Sequence, residues 1–181
     1  MTTPLHRASA RFMLGHPARC IALGFGSGLS PRAPGTVGTL WAWAAFLVAD
    51  AWLTPSQWGW LIAASLPLGW WACTRCAQQL GQADPGAIVW DEVVAFWIVL
   101  WLLMPAGWWA QAAAFVLFRF FDAAKPGPVG WADRRFKLRP APAGSPPAAI
   151  GWRQGFGILF DDLVAALCTL LVIALWQRGM A

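Results

Sequence analysis

The sequence predicts an all-α fold: a polytopic membrane helical bundle of about four to five membrane helices, with its motif loops at the cytoplasmic face. Three observations carry that prediction. Of 181 residues, 59% are hydrophobic and 12% charged, against about 25% charged in an average soluble domain. Fifteen Trp and eleven Phe, with no Tyr, would overfill a water-soluble interior of this size. The apolar residues also run in long uncharged stretches without a polar face at helical spacing, the pattern of a buried or lipid-facing helix. The length fits one domain, residues 1–181. The apolar excess excludes a disordered chain, and four scattered cysteines exclude a secreted disulfide scaffold. The bilayer is the expected environment; no nucleic-acid partner is expected, and the oligomeric state stays open.

The elements follow in order. Residues 1–20 form a basic arm with His6, Arg7, Arg11, His16 and Arg19; lacking an apolar core, it does not read as a cleaved signal. Residues 36–53 (TVGTLWAWAAFLVADAWL) are interrupted only by Asp50. Residues 57–73 carry no charge. Residues 93–118 are also uncharged, but Pro105-Ala106-Gly107 divides them into two helices shorter than the roughly 20 residues a span needs. The last stretch, 163–176, continues upstream into Asp161-Asp162. Residues 138–154 read as a flexible Pro/Ala-rich insertion.

Charge sets the topology. The arm and the loop 120–157, with Lys125, Arg134, Arg135, Lys137, Arg139 and Arg153, are cytoplasmic by the positive-inside rule. Five crossings satisfy both, with turns at 54–56 and 105–107 outside. Seven of the eight acids, all but Asp50, then fall at or next to the cytoplasmic face.

Four segments could carry chemistry. Residues 24–39 (GFGSGLSPRAPGTVGT) make a compact loop in which Thr36 or Thr39 caps the first membrane helix. A helix N-terminus offers N–H groups and partial positive charge to a phosphate, which makes Ser30 and Thr36 candidate phosphate contacts. The same loop also reads as a structural turn, because no Gly-Lys-Ser/Thr follows and no strand precedes it. In residues 84–92 (DPGAIVWDE), Asp91 and Glu92 open an apolar helix, where acids complement the helix dipole. Adjacent carboxylates point about 100° apart on a helix, so they serve one metal or two partners. In RFFDAAKP, Arg119, Asp122 and Lys125 share a face, as a surface ladder or as phosphate contacts. Asp161-Asp162 is a second acidic pair, and ionisable groups in or at the edge of membrane segments are functional by default.

Clustered carboxylates suit a hard divalent cation; Mg²⁺ takes one or two of them and completes its shell with water and substrate phosphate. Arg119, Lys125, Arg134 and Arg135 would neutralise the rest of the phosphate charge. The inventory fits metal-assisted phosphate-ester hydrolysis. A cysteine phosphatase is excluded, because the positions six after Cys20, Cys73, Cys76 and Cys168 are Gly26, Gln79, Gln82 and Ala174. No Asp-x-Asp occurs, and the only histidines, His6 and His16, lie in the basic arm. The single CxxC at Cys73 and Cys76 reads as packed thiols, not a zinc site.

Taken together, GFGSGLSPRAPGTVGTL, IVWDE, FRFFDAAKPGPVGWADRR and FGILFDDLVA resemble, in order, the motifs of the phosphatidylglycerophosphatase A family. The resemblance covers residues from about 24 to 166. It implies an all-helical, magnesium-dependent phosphatase of the bacterial cytoplasmic membrane, multi-pass, with its active site facing the cytoplasm. Such an enzyme removes the terminal phosphate of phosphatidylglycerophosphate, giving phosphatidylglycerol. By motif match, Asp91, Glu92, Asp122, Lys125, Asp161 and Asp162 inherit site roles. Asp91, Glu92, Asp161 and Asp162 are expected to hold one or two Mg²⁺, and Glu92, Asp122 and Asp161 to act in catalysis. Arg119, Lys125, Arg134, Ser30 and Thr36 are expected to contact phosphate. Two departures stand out: the 138–154 insertion replaces a short Gly-Gly segment, and the Asp84 turn lacks a histidine found in some relatives. A cation transporter or channel subunit with carboxylate ion sites, or a phosphatase acting on another lipid phosphate, are the rival readings.

Overall fold

The structure, a computed structural model, describes residues 8–136 and 149–180. His6, Arg7, Lys137, Arg139 and most of the 138–154 insertion lie outside the described residues. Among the described residues every regular element is helical.

Two short helices, α1 (Ala10–Leu14) and α2 (Pro17–Ala22), lead into a 3-10 segment, Gly24–Leu29. The long helices are α3 (Pro34–Asp50), α4 (Pro55–Leu80), α5 (Trp90–Leu102), α6 (Trp108–Ala124) and α8 (Trp152–Met180), with the short α7 (Pro128–Phe136) before the last. The break between α5 and α6 falls at Pro105, as the residue pattern requires. Two expectations are corrected. Neither Thr36 nor Thr39 caps α3; the cap is Ala33, in the left-handed conformation, followed by Pro34 at the first turn. Pro34 at the first helical position is pre-organised for the helix by its fixed φ and brings no N–H of its own to satisfy. The segment 120–157 is not one loop, because α6 runs on to Ala124, α7 follows, and α8 begins at Trp152.

Helix α5 is the centre. Its buried residues Trp90, Glu92, Val93, Val94, Phe96, Trp97, Val99 and Leu100 run around the whole helix, and α3, α4 and α8 pack against it. Absence of a polar face thus means enclosure by protein for this helix. Three buried indoles around it have their donors answered: Trp97 Nε1 donates to the Ala42 carbonyl at 2.9 Å, Trp90 Nε1 to the Ser65 carbonyl at 3.3 Å, and Trp43 Nε1 to Gln111 Oε1 at 2.7 Å.

Among the described residues one helix, Trp152–Gly179, is long and apolar enough to cross a membrane, with mean hydropathy 2.4 in its best window. The others miss on length or polarity. Helices α3 and α6 have 17 residues each and α5 has 13, or roughly 26 and 20 Å at about 1.5 Å per residue, against a hydrocarbon core of about 30 Å. Helix α4 has 26 residues but carries Arg75, Gln78 and Gln79 in its last turns.

The α4–α8 crossing is close. A Cβ on Gly155 would overlap Thr74 Oγ1 and stand 2.9 Å from Thr74 Cα, so backbone as well as side chain would have to move. Overpacking of this kind costs about 1–3 kcal/mol. Gly155→Ala is expected to lower the apparent Tm in detergent by roughly 5 °C. The control Gly179→Ala, whose Cβ meets nothing within 4 Å, should leave it unchanged. Equal melting of the two variants would refute a tight α4–α8 contact.

Candidate functional site

Three carboxylates converge where α5 begins and α8 passes. Asp91, Glu92 and Asp162 each offer one oxygen, and these atoms lie within 4.8 Å of one another. Glu92 and Asp162 are buried, at 9% and 3% exposure. One buried oxygen on each, Asp91 Oδ1, Glu92 Oε2 and Asp162 Oδ2, has no hydrogen-bond partner among the described residues. At an effective dielectric constant near 20, two bare charges at this spacing repel by about 3 kcal/mol. Buried polar atoms are normally satisfied, so this set asks for a cation. All-oxygen donors at this spacing fit a hard divalent ion better than a soft one.

The nearest fixed positive charge is Arg119 of α6. Its Nη1 ion-pairs with Asp122, lies 3.8 Å from Glu92 Oε1, and donates to Thr39 Oγ1 at 3.3 Å. Its buried Nε has no partner. A donor without an acceptor therefore sits beside acceptors without a donor. One arginine cannot neutralise Asp91, Glu92, Asp122 and Asp162 together.

Asp161 lies elsewhere. Adjacent residues on a helix diverge by about 100°, and the Asp161 carboxylate meets Lys125 instead of the group of three. Lys125 Nζ binds Asp161 Oδ2 and, at 2.6 Å, Asp133 Oδ1. Burial by itself pulls the Lys125 pKa down, but the hydrogen bonds to Asp133 and Asp161 outweigh it and hold the ammonium charged well above its ordinary range. Lys125 follows the last turn of α6 in the left-handed conformation, φ 45° and ψ 50°, so it leaves the helical face that its spacing from Arg119 and Asp122 suggested. The expected ladder is thus split into two ion-pair sets.

Ser30 donates its hydroxyl to the Arg32 carbonyl at 2.8 Å, Thr36 is half-buried, and Arg134 is exposed. The glycine-rich segment acts on the site through packing. Gly24 has φ +53°, and a Cβ on it would meet Val89 Cγ2 at 2.7 Å; a Cβ on Gly38 would meet Val89 Cβ at the same distance. The Val89 N–H also donates to the Ala22 carbonyl at 2.9 Å. These contacts press the loop against the residues just before Asp91. A Cβ on Gly35 would overlap Glu92 Oε1 and stand 3.3 Å from both terminal nitrogens of Arg119. Sequence reasoning missed Thr39 as the Arg119 acceptor and Asp133 as the second Lys125 partner. Both lie inside the quoted motifs, but nothing in their spacing reveals the contact.

The family model described as Phosphatidylglycerophosphatase A matches residues 20–140. The chain is 35% identical over 166 residues to Phosphatidylglycerophosphatase A of Escherichia coli (strain K12), covering 91% of this chain and 87% of that protein. It is 34% identical over 165 residues to Phosphatidylglycerophosphatase A of Haemophilus influenzae, covering 91% of each. A putative phosphatidylinositol-3-phosphatase of Bacteroides thetaiotaomicron is 34% identical over 168 residues, 88% of this chain and 94% of that one. No solved structure matches the chain. The chain belongs to the phosphatidylglycerophosphatase A family.

Removing one of three mutually repelling charges should stabilise the metal-free protein. Asp162→Asn is expected to raise the apparent Tm measured in chelator and to shrink the upward shift that Mg²⁺ gives the unaltered protein. A variant less stable without metal, with the Mg²⁺ shift intact, would take Asp162 out of a cation site.

Proposed function

We propose, from membership of the phosphatidylglycerophosphatase A family, that this protein hydrolyses the terminal phosphate of phosphatidylglycerophosphate, releasing phosphatidylglycerol and inorganic phosphate. The observation that carries the reading is the pairing of orphaned groups: three buried carboxylate oxygens without donors next to a buried Arg119 Nε without an acceptor. A divalent cation would satisfy the first and an oxygen of a phosphomonoester the second.

In this reading Asp91, Glu92 and Asp162 hold Mg²⁺. When bound, the ion supplies charge neutralisation to the phosphate and acidifies its bound water. Arg119, steadied by Asp122 and Thr39, donates to a phosphate oxygen and stabilises the charge that spreads over the phosphoryl group. Asp122 orients the attacking water. Lys125 stays charged and faces the ester, where Asp133 and Asp161 hold it. One P–O bond to the glycerol oxygen breaks and one to a water-derived oxygen forms; the proton lost by water is balanced by the one the released hydroxyl gains.

The multi-pass arrangement belongs to the same proposal: α3, α4, α5, α6 and α8 lie in the bacterial cytoplasmic membrane, with the site facing the cytoplasm. The exposed indoles support it. Trp52, Trp60 and Trp109 are 83%, 78% and 84% exposed, and exposed apolar patches of that kind belong in lipid or its interface. The short helices fit if the bilayer thins or the flanking residues reach outward. A site at the headgroup level leaves the acyl chains in lipid. A different lipid headgroup is the second reading, favoured by the name of the Bacteroides relative. A cation transporter is disfavoured by Arg119 and Lys125, which would hold positive charge against a passing ion.

The test is phosphate release by purified protein in detergent from phosphatidylglycerophosphate, phosphatidic acid and phosphatidylinositol phosphates. Activity on the first should disappear in chelator and return with Mg²⁺. Glu92→Gln and Asp162→Asn should each reduce kcat at least a hundredfold while the protein still enters membranes. Near-normal turnover in either variant would remove that residue from the site, and phosphate release only from another lipid would reassign the substrate.

A further inference from the structure

A cavity of about 350 Å³ opens on the other side of Asp161. That volume suits a headgroup fragment and is small for acyl chains. Its polar wall is Asp84, Asp133, Gln154 and Asp161, and Phe136 and Ile158 form an apolar wall. The polar wall accepts far more than it donates. Its nearby cation, Lys125, is already bound by Asp133 and Asp161, and Asp84 has no ion-pair partner among the described residues. Gln154 spends its carbonyl oxygen on the Gly151 N–H at 2.9 Å, which leaves its amide hydrogens to donate. A phosphate would be repelled by three carboxylates, whereas a hydroxyl donates to one and accepts from an amide.

The rim has the opposite character. The guanidinium carbons of Arg135 and Arg153 each lie 5.9 Å from the Phe136 ring centroid, and both side chains are exposed. Arg153 Nη2 also reaches the Arg135 carbonyl at 3.5 Å, so the two guanidinium groups stand together beside Phe136, which lines the cavity. We propose that the cavity is a specificity subsite for a hydroxyl-bearing linker between two phosphates. Asp84 and Gln154 bind the linker hydroxyl, Phe136 and Ile158 take its carbon skeleton, and Arg135 with Arg153 face the phosphodiester at the rim. This deepens the proposed function and rests on it, because the terminal phosphate must lie at the carboxylate group for the linker to reach the cavity.

The test compares phosphatidylglycerophosphate with an analogue whose linker lacks the hydroxyl but keeps both phosphates. The unaltered protein should lose about tenfold in kcat/KM on the analogue, through KM, the size of one hydrogen bond to a charged acceptor. Asp84→Ala and, separately, Gln154→Ala should turn over both lipids with nearly equal kcat/KM. Discrimination retained in both variants, or none in the unaltered protein, would overturn the subsite. So would recovery of a variant's lost activity at raised Mg²⁺ with discrimination intact, which would give the cavity to a cation. Absence of phosphate release from phosphatidylglycerophosphate by the unaltered protein would instead strike the proposed function, and the subsite with it. Elution of the variants at the position of the unaltered protein in size-exclusion chromatography shows that folding is not the cause.

Discussion

Uncompensated negative charge is the constraint around which the described residues are organised. Asp91, Glu92, Asp122 and Asp162 stand within one buried neighbourhood that contains Arg119 as its fixed cation. Burial strengthens their repulsion, since the effective dielectric falls away from water. A fold stabilised only by apolar packing would relieve the repulsion by turning one carboxylate outward. The packing prevents this. Glu92 is held by Gly35 of α3, whose missing side chain is the space the carboxylate occupies, and the preceding Val89 is locked against Gly24 and Gly38. The glycine-rich segment thus acts as a mould for the acidic turn. An acidic group kept buried against its own repulsion is a strained arrangement, and such arrangements concentrate at functional sites.

That division also explains which parts of the chain could be read in advance. Acidic pairs are conspicuous in a sequence with 8 Asp and Glu among 181 residues, and so Asp91, Glu92, Asp122 and Asp162 stood out as a set, while Asp161, expected with them, pairs with Lys125 instead. The break at Pro105 was legible because proline has a local effect that needs no partner, whereas the first two long helices start two residues earlier, at Pro34 and Pro55, than the apolar stretches suggested. What was not legible depends on helix phase and on distant contacts. Which member of Asp161-Asp162 joins Glu92 follows from how α8 is rotated against α5, and nothing in the dipeptide states it. Thr39 looked like a cap because hydroxyl residues near a helix start often are. Its hydroxyl instead bonds the Gly35 carbonyl at 2.8 Å and receives Arg119 from α6, 80 residues away. Helix α7 was hidden inside a basic stretch whose charge drew attention away from Val129 and Ala132, both fully buried.

The two consecutive aspartates of α8 do different work from one backbone position. Asp162 is turned inward with its orphan oxygen, while Asp161 is neutralised by Lys125. Lys125 reaches it only because the chain turns left-handed at that residue, a conformation that costs a side-chain-bearing residue about 1 kcal/mol or more. Two ion pairs, one to Asp133 on α7 and one to Asp161 on α8, offset that strain and tie the three elements together. A lysine there, instead of the glycine that the backbone would favour, makes sense if its charge is needed at this spot. Neutralising Asp161 this way sets it apart from the inward group, whose buried oxygens stay without partners among the described residues. The same lysine holds Asp133 and Asp161 side by side in one wall of the neighbouring cavity, against their mutual repulsion. The local turn at Lys125 therefore separates a compartment that attracts a cation from one that offers acceptors to hydroxyl groups.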